Sequence, residues 1–418
     1  MPVDLETLLR RESEQVEWKR AVADVGDVVR TLVAFANDAS NLGGGYVVCG
    51  VAESKDAAGF PSAEILGLDA HRLAEITGRV LALCRDRVSP PLLPLTEEVP
   101  TADPSRRVLV FVMPQTLRAH SYRGTDDSGR YFVRMGNQTV EARNGLLRQL
   151  LVLRGDVPPW DVRPCPTATV DDLDVLALQA ALQRMGVAAD ADRVRALISD
   201  THQIHALVQP FCAREPLTGV LRPRNFALLL FGRAPQRHVP GAYVIVSRYG
   251  GTNRAASKSE RTEIDKSLLQ QAVQLHDLLD AEVTMAMDKA DPATPNRWNY
   301  PASALHEAAV NALAHRDYED REPTRVTVFT DRIEIHSPGG LPLGVESAAF
   351  VAGSARPRWR NQALAWFLIR MQLAQAEGQG VATMREAMAA TGCAPPEFEL
   401  NPMHTTCTLR ANPRFSQP

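Results

Sequence analysis

The chain has 418 residues, 45% hydrophobic and 23% charged, with 46 Lys+Arg against 49 Asp+Glu and a formal net charge of −3. At roughly 100–200 residues per domain this is a globular protein of two or three domains, and the near balance of charge excludes a wholly basic nucleic-acid-coating protein and an acidic disordered tail. Of the 46 cations 5 are Lys and 41 are Arg, which is the fork-shaped, phosphate-matching cation or the mark of an Arg-rich, high-GC composition.

The six cysteines form no C-x-x-C pair, so neither a zinc knuckle nor a disulfide framework is readable and a reducing cytoplasm is the expected setting. The N-terminus has no apolar signal core. The longest apolar runs fall far short of the ~20 residues a bilayer needs, so no membrane association is expected.

Residues 1–155 read as one α/β unit: a helix over Asp4–Arg11, a strand over Val16–Lys19, a helix over Asp27–Ala36, a buried strand over Tyr46–Val51, further strands over Val108–Met113 and Tyr131–Met135, and a closing helix over Asn144–Arg154. The proline-rich segment 156–166 reads as a linker. A middle segment, 167–295, carries expected helices over Asp171–Met185, Ala189–Leu197 and Glu260–Met287, and apolar strands over 226–232 and 242–247. The last segment, 296–418, carries helices over Ser303–Ala314, Gln362–Leu373 and Val381–Thr391, a hairpin over Arg325–Thr330 and Arg332–His336, and a final strand over Thr405–Arg410.

Within LHEAAVNALAHRDY, Glu307 and Asn311 stand at i and i+4, a carboxylate and a carboxamide on one helical face. A Glu so placed can polarise water and an Asn oxygen can ligate a Mg²⁺ that bridges phosphates, although the same spacing also fits a solvated helix face. Downstream come the turn Ser337-Pro338-Gly339-Gly340 and the stretch Glu377-Gly378-Gln379-Gly380, where glycines permit close backbone approach and a helix start offers free N–H groups. His315, Arg316, Asp317 and Tyr318 read equally as phosphate contacts or as a helix C-terminal cap. No G-x-x-x-x-G-K-[ST] loop occurs, which excludes a P-loop helicase.

In order and setting these blocks resemble the GHKL ATPase fold of gyrase-type ATPases, heat-shock chaperones, mismatch-repair ATPases and histidine kinases, and more closely the C-terminal ATP-binding domain of bacterial helicase-like proteins. The resemblance implies ATP and Mg²⁺ as cofactors, Glu307 as catalytic base and Asn311 as Mg²⁺ ligand. It implies nucleotide contacts at His315, Ser337, Gly339 and Gly340, and a phosphate lid at Gly378 and Gly380. Two departures stand out: Ser337 and Pro338 occupy the place of the family's adenine-reading Asp, and the lid is short.

At the N-terminus, RRESEQVEWKR sets Glu12, Glu14 and Glu17 beside Lys19, and Glu53 follows the Tyr46–Val51 strand. Clustered carboxylates suit one or two divalent ions and phosphodiester hydrolysis, while a charged helix end with solvated side chains fits the same letters. ESEQVEWK, VVRTLVAFANDASNLGGGYVVCGV and RYFVRMGNQTVEAR resemble the Schlafen-type, Alba-like domain. That resemblance implies Glu12, Glu17 and Glu53, with Asp56 as the alternative third acid, as catalytic ligands of Mg²⁺ or Mn²⁺ acting on RNA or DNA.

From 106 to 148 there are eight Arg against three acids, interleaved with Tyr122, Tyr131 and Phe132. Lys19, Arg123, Arg130, Tyr131 and Arg134 are the expected nucleic-acid contacts, unless the aromatics are core and the arginines merely exposed. In FANDASNLGGGY, Asn37 and Asp38 could equally serve as a cap or turn.

The expected fold class is thus α/β (α+β): a Schlafen/Alba-like α/β domain, a middle linker domain that resembles the one found between such modules, and a GHKL-type α/β sandwich. The resemblances imply a cytoplasmic, homo-oligomeric, nucleotide-regulated nucleic-acid-binding protein, with metal-dependent nuclease activity in stress or phage defence as one form. The alternatives are a non-enzymatic ATP-sensing DNA-binding regulator, which the end of the chain directly after the last strand disfavours, and a dimeric scaffold.

Overall fold

The computed structural model describes residues 3–55, 61–187, 190–199, 210–215, 218–256, 258–286, 297–374 and 378–413. The chain is mixed α/β and divides into two compact units, Met1–Pro158 and Pro159–Pro418. No described helix is long and apolar enough to cross a membrane.

The first unit is built around the helix Val25–Asn37. Asp24 caps its start by accepting from Gly26 N, and nearly every residue along it is buried. It packs between two sheets: Val28, Leu32 and Phe35 share a core with Val47, Cys49, Leu109 and Phe111 of one, and with Tyr122 and Phe132 of the other. In the first sheet Val16–Lys19 runs parallel to Gly44–Cys49, which pairs antiparallel with Arg106–Pro114. The second sheet has the order Gln138–Glu141, Gly129–Met135, Ser121–Arg123, Val88–Ser89.

The expected Tyr46–Val51 strand is interrupted at Gly50, whose φ of +95° turns the chain so that Val51–Lys55 pairs instead with Pro61–Ile65. Asn37 and Asp38 take the structural alternative. The Asn37 amide donates to the carbonyls of His120 and Phe132, the Asp38 carboxylate accepts from Leu42 and Gly43, and the buried Arg154 guanidinium donates to the carbonyls of Asn37 and Asp38.

The second unit is organised by a six-stranded sheet in the order Lys258–Ile264, Val244–Tyr249, Thr324–Val328, Arg332–Pro338, His404–Arg410, Glu397–Leu400. The helices Leu268–Asp280, Ala302–Ala314, Gln362–Arg370 and Gly380–Ala390 share one core with its inward residues Val326, Ile333, Ile335 and Leu409. The expected boundary at 295/296 therefore falls inside a single unit, because Val244–Tyr249 of the middle segment pairs parallel with Thr324–Val328 of the last.

Two elements differ in type from their sequence reading. Residues 225–231, Asn225–Phe231, are a helix buried on every side, and a continuous apolar run carries no period to distinguish that from a buried strand. The expected helix Glu260–Met287 is a charged edge strand, Lys258–Ile264, followed by the helix Leu268–Asp280. The segment read as a linker belongs from Pro159 onward to the second unit: Trp160 stacks on Tyr318, and Asp161 is fully buried and accepts from Ala363 N and Leu364 N at the start of a helix.

Candidate functional site

The Ala302–Ala314 helix presents Glu307 and Asn311 to a cleft whose walls also carry His315, Ser337, Gly339, Gly340, Gly378 and Gly380. Every nucleotide-site residue expected from the sequence is thus brought to one place. The space between the walls is about 1110 Å³, open solvent at its mouth included.

Asn311 Nδ2 donates to Glu307 Oε1 at 3.0 Å. That fixes the amide and leaves its carbonyl oxygen as the atom able to ligate a cation. Burial raises the Glu307 pKa above its ordinary 4.5, against the opposing effect of the Asn311 hydrogen bond. A Cβ at Gly380 would overlap the Glu307 carboxylate, so glycine there is what admits the acid to the cleft. Gly339 sits at φ +100°, which favours glycine, and starts the turn against Met403, whose carbonyl its N–H reaches at 2.6 Å.

Ser337 borders the cleft with its hydroxyl already donating to the Ala312 carbonyl at 2.7 Å. His315 stacks on Trp359, with centroids 4.6 Å apart and planes 10° from parallel, and burial together with the charge of Arg360 pushes its pKa down to about 4, so the ring is neutral at pH 7. The rest of the His315–Tyr318 cluster is structural: Arg316 is buried and donates to backbone carbonyls that include Glu322 and Asp320, and Tyr318 donates to the Leu313 carbonyl. Glu377 lies outside the described residues.

Sequence reasoning missed the apolar wall of Ile335, Phe350, Val381, Met384 and Phe398, and the segment Arg356–Trp359. The apolar residues read as ordinary core, and the arginines lie outside any glycine turn.

In the first unit Glu12 is raised above its ordinary 4.5 by burial and further by the charges of Glu17 and Glu53, while a hydrogen bond from Trp18 N opposes this. The three acids do not form the expected metal-ligand set. Among the described residues no three His, Cys, Asp or Glu are grouped to hold a cation. Glu17 spends its oxygens on Lys19 Nζ at 2.7 Å and Arg134 Nη1 at 2.8 Å, Glu12 Oε1 accepts from Trp18 N at 2.8 Å, and Glu53 is exposed. Asp56 lies outside the described residues.

The expected nucleic-acid contacts divide. Arg134 is buried, bound to Glu17, Thr139 and the Ser13 carbonyl, and Lys19 bridges Glu17 and Asp27. Both are internal ion-pair partners, because their strands carry them inward toward Glu17. Arg130 is exposed but paired with Asp126; Arg118 pairs with Asp156 and Arg143 with Glu141, so much of the local positive surplus is compensated. Arg123 is exposed and Tyr131 half-buried. Tyr122 and Phe132 are core.

The cleft thus lies in an α/β unit built of a sheet with helices packed on it, distinct from the N-terminal α/β unit. Residues 322–409 match the family model described as "Putative ATP-dependent DNA helicase recG C-terminal", and residues 12–143 match the one described as "Schlafen, AlbA_2". The two matches stand in the order of the sequence blocks that resemble these families.

Among solved structures, the DIP2311 protein of Corynebacterium diphtheriae is similar at 20% identity and a TM-score of 0.43, over 95% of this chain and 65% of that one. The chain thus spans about 65% of that protein's length. The N-terminal domain of a putative ATP-dependent DNA helicase RecG-related protein from Nitrosomonas europaea is similar at 22% identity and a TM-score of 0.25, over 32% of this chain and 86% of that one. No curated protein matches the chain.

Proposed function

We propose that the second unit binds ATP in the Glu307–Asn311 cleft and that the first unit binds nucleic acid, with nucleotide occupancy regulating that binding. The observation that supports this most is the convergence of Glu307, Asn311, His315, Ser337, Gly339, Gly340, Gly378 and Gly380 on one cleft. The two family matches agree with it.

The apolar wall suits a purine ring. The glycines and the first N–H groups of the Gly380–Ala390 helix suit phosphates. The residues fit Mg²⁺ held by the Asn311 carbonyl oxygen, with phosphate oxygens completing the ligand set. A bound Mg²⁺ would supply charge neutralisation of the phosphates. Glu307 would then take the proton of a water attacking the terminal phosphoryl group as its bond to the bridging oxygen breaks and ADP leaves, and its half-buried position limits exchange of that proton with bulk solvent. Regulation requires that ATP bind one arrangement of the protein more tightly than another.

A second reading, a metal-dependent nuclease, is supported by one observation: Glu12 senses the charges of Glu17 and Glu53. The side chains as they stand do not fit a metal, since Glu17 is held by two cations.

Both readings are tested by incubating the full chain with tRNA, single-stranded RNA and duplex DNA, with and without ATP, in Mg²⁺ or Mn²⁺. Binding that changes at least about tenfold with ATP, a 1.4 kcal/mol coupling, supports the first. Cleavage lost in Glu12→Gln and Glu53→Gln supports the second. Absence of binding to all three nucleic acids sinks both.

A further inference from the structure

The stretch Arg356-Pro357-Arg358-Trp359-Arg360 carries no glycine turn and no acid, yet its first four residues form a wall of the cleft. Arg356 and Arg358 line the cleft and are its only lining cations among the described residues, since His315 is neutral at pH 7. Three contacts set the segment in place. Arg358 Nη1 donates to the Leu343 carbonyl at 3.1 Å, Arg360 Nη2 donates to the Gly340 carbonyl at 2.8 Å from behind the first glycine turn, and Trp359 stacks on His315. Pro357 lies against Gly378, where a Cβ would come within 2.9 Å of the proline ring. The arginine wall and the second glycine turn are therefore packed together.

Among the described residues the lining of this cleft sets two guanidinium groups against one acid, Glu307. An uncharged ligand would leave these guanidinium groups to solvent. A ligand with several anionic oxygens would accept charge-assisted hydrogen bonds from them, and Arg is the side chain whose fork matches phosphate oxygens two at a time.

We propose that Arg356 and Arg358 are the polyphosphate-holding side chains of the cleft, and that through them it distinguishes nucleotides by their number of phosphates. The proposal rests on the nucleotide reading above.

The test is titration of the full chain, wild type, Arg356→Gln and Arg358→Gln, with ATP, ADP, AMP and adenosine in Mg²⁺, followed by calorimetry. Wild-type affinity is expected to fall at least about tenfold from ATP to AMP. Each variant should weaken ATP about tenfold, 1.4 kcal/mol, while leaving adenosine within about twofold.

Because Arg358 also braces Leu343, Arg356→Gln, at an exposed side chain, decides if Arg358→Gln lowers the melting temperature. Unchanged ATP affinity in Arg356→Gln overturns the proposal while leaving the nucleotide reading intact. So does an equal loss for adenosine and ATP, which would mean that the arginines shape the pocket without holding phosphates. If the wild type binds none of the four ligands, the nucleotide reading itself fails.

Discussion

Glu17 Oε2 accepts from Arg134 Nη1 at 2.8 Å, and the guanidinium it neutralises is buried. This makes Glu17 a structural counter-ion whatever else it does. Removing one partner of a buried ion pair costs about 3–5 kcal/mol because the other charge is left uncompensated. Glu17→Gln should therefore lower the melting temperature of the first unit by roughly 10 °C or more, measurable by calorimetry without nucleic acid. A variant as stable as wild type would show that the pair contributes little. Loss of any nuclease activity in this variant cannot by itself be assigned to chemistry, so Glu12→Gln and Glu53→Gln are the informative changes.

Asp161 yields a pH dependence with a definite sign. Burial pushes its pKa up to about 6 from 3.8, against the hydrogen bonds from Leu364 N and Ala363 N, and Oδ1 is buried without a partner among the described residues. The folded state therefore holds a proton that the unfolded state releases between these values. Stability from this group is full below pH 3.8 and is lost as pH rises through about 6. The loss is on the order of 3 kcal/mol. In Asp161→Asn, which keeps an acceptor for the two N–H groups, this part of the pH dependence should vanish in denaturant melts between pH 4 and 7. A pH profile identical to wild type would contradict it.

The Glu307–Asn311 cleft was legible in the sequence because its parts are local: an i,i+4 pair on one helix and two glycine turns, each recognisable within a few residues. The N-terminal cluster was only half legible. The letters E-S-E-Q-V-E-W-K show the carboxylates but not that Arg134, more than a hundred residues away, arrives to neutralise Glu17. In the basic stretch at 106–148 Arg118 finds Asp156 outside the counted window, a pairing that local letters do not show. Arg130 and Arg143 meet their acids within it. The FALLLF run failed as a strand because burial on all sides erases the periodicity that separates helix from strand.

Gly380→Ala is expected to separate folding from function. The residue begins a helix with no positive φ, so alanine is favourable to the backbone. The new methyl meets the flexible end of Glu307, which must swing away. The melting temperature should stay within a few degrees of wild type while ATP turnover falls at least about a hundredfold, within the range for loss of a general base. Turnover equal to wild type would show that the position of the Glu307 carboxylate does not matter.

The raised pKa of Glu307 fixes the direction of the acid limb of turnover. A base must be ionised, so the rate should fall on acidification at a pH above the 4.5 of an ordinary glutamate. In Glu307→Gln turnover should be lost with ATP binding retained, read by a malachite-green phosphate assay alongside equilibrium dialysis. An acid limb at or below the ordinary value would remove Glu307 from the role of base.

The most direct measurement is calorimetric titration of the full chain with ATP, in Mg²⁺ and again in EDTA, for wild type and Asn311→Ala. Saturable binding of one ATP per chain is expected, weakened at least about tenfold by the substitution in Mg²⁺ and by much less in EDTA. No saturable binding by the wild type, or a loss in Asn311→Ala of equal size with and without Mg²⁺, would contradict a nucleotide cleft in which Asn311 holds the cation.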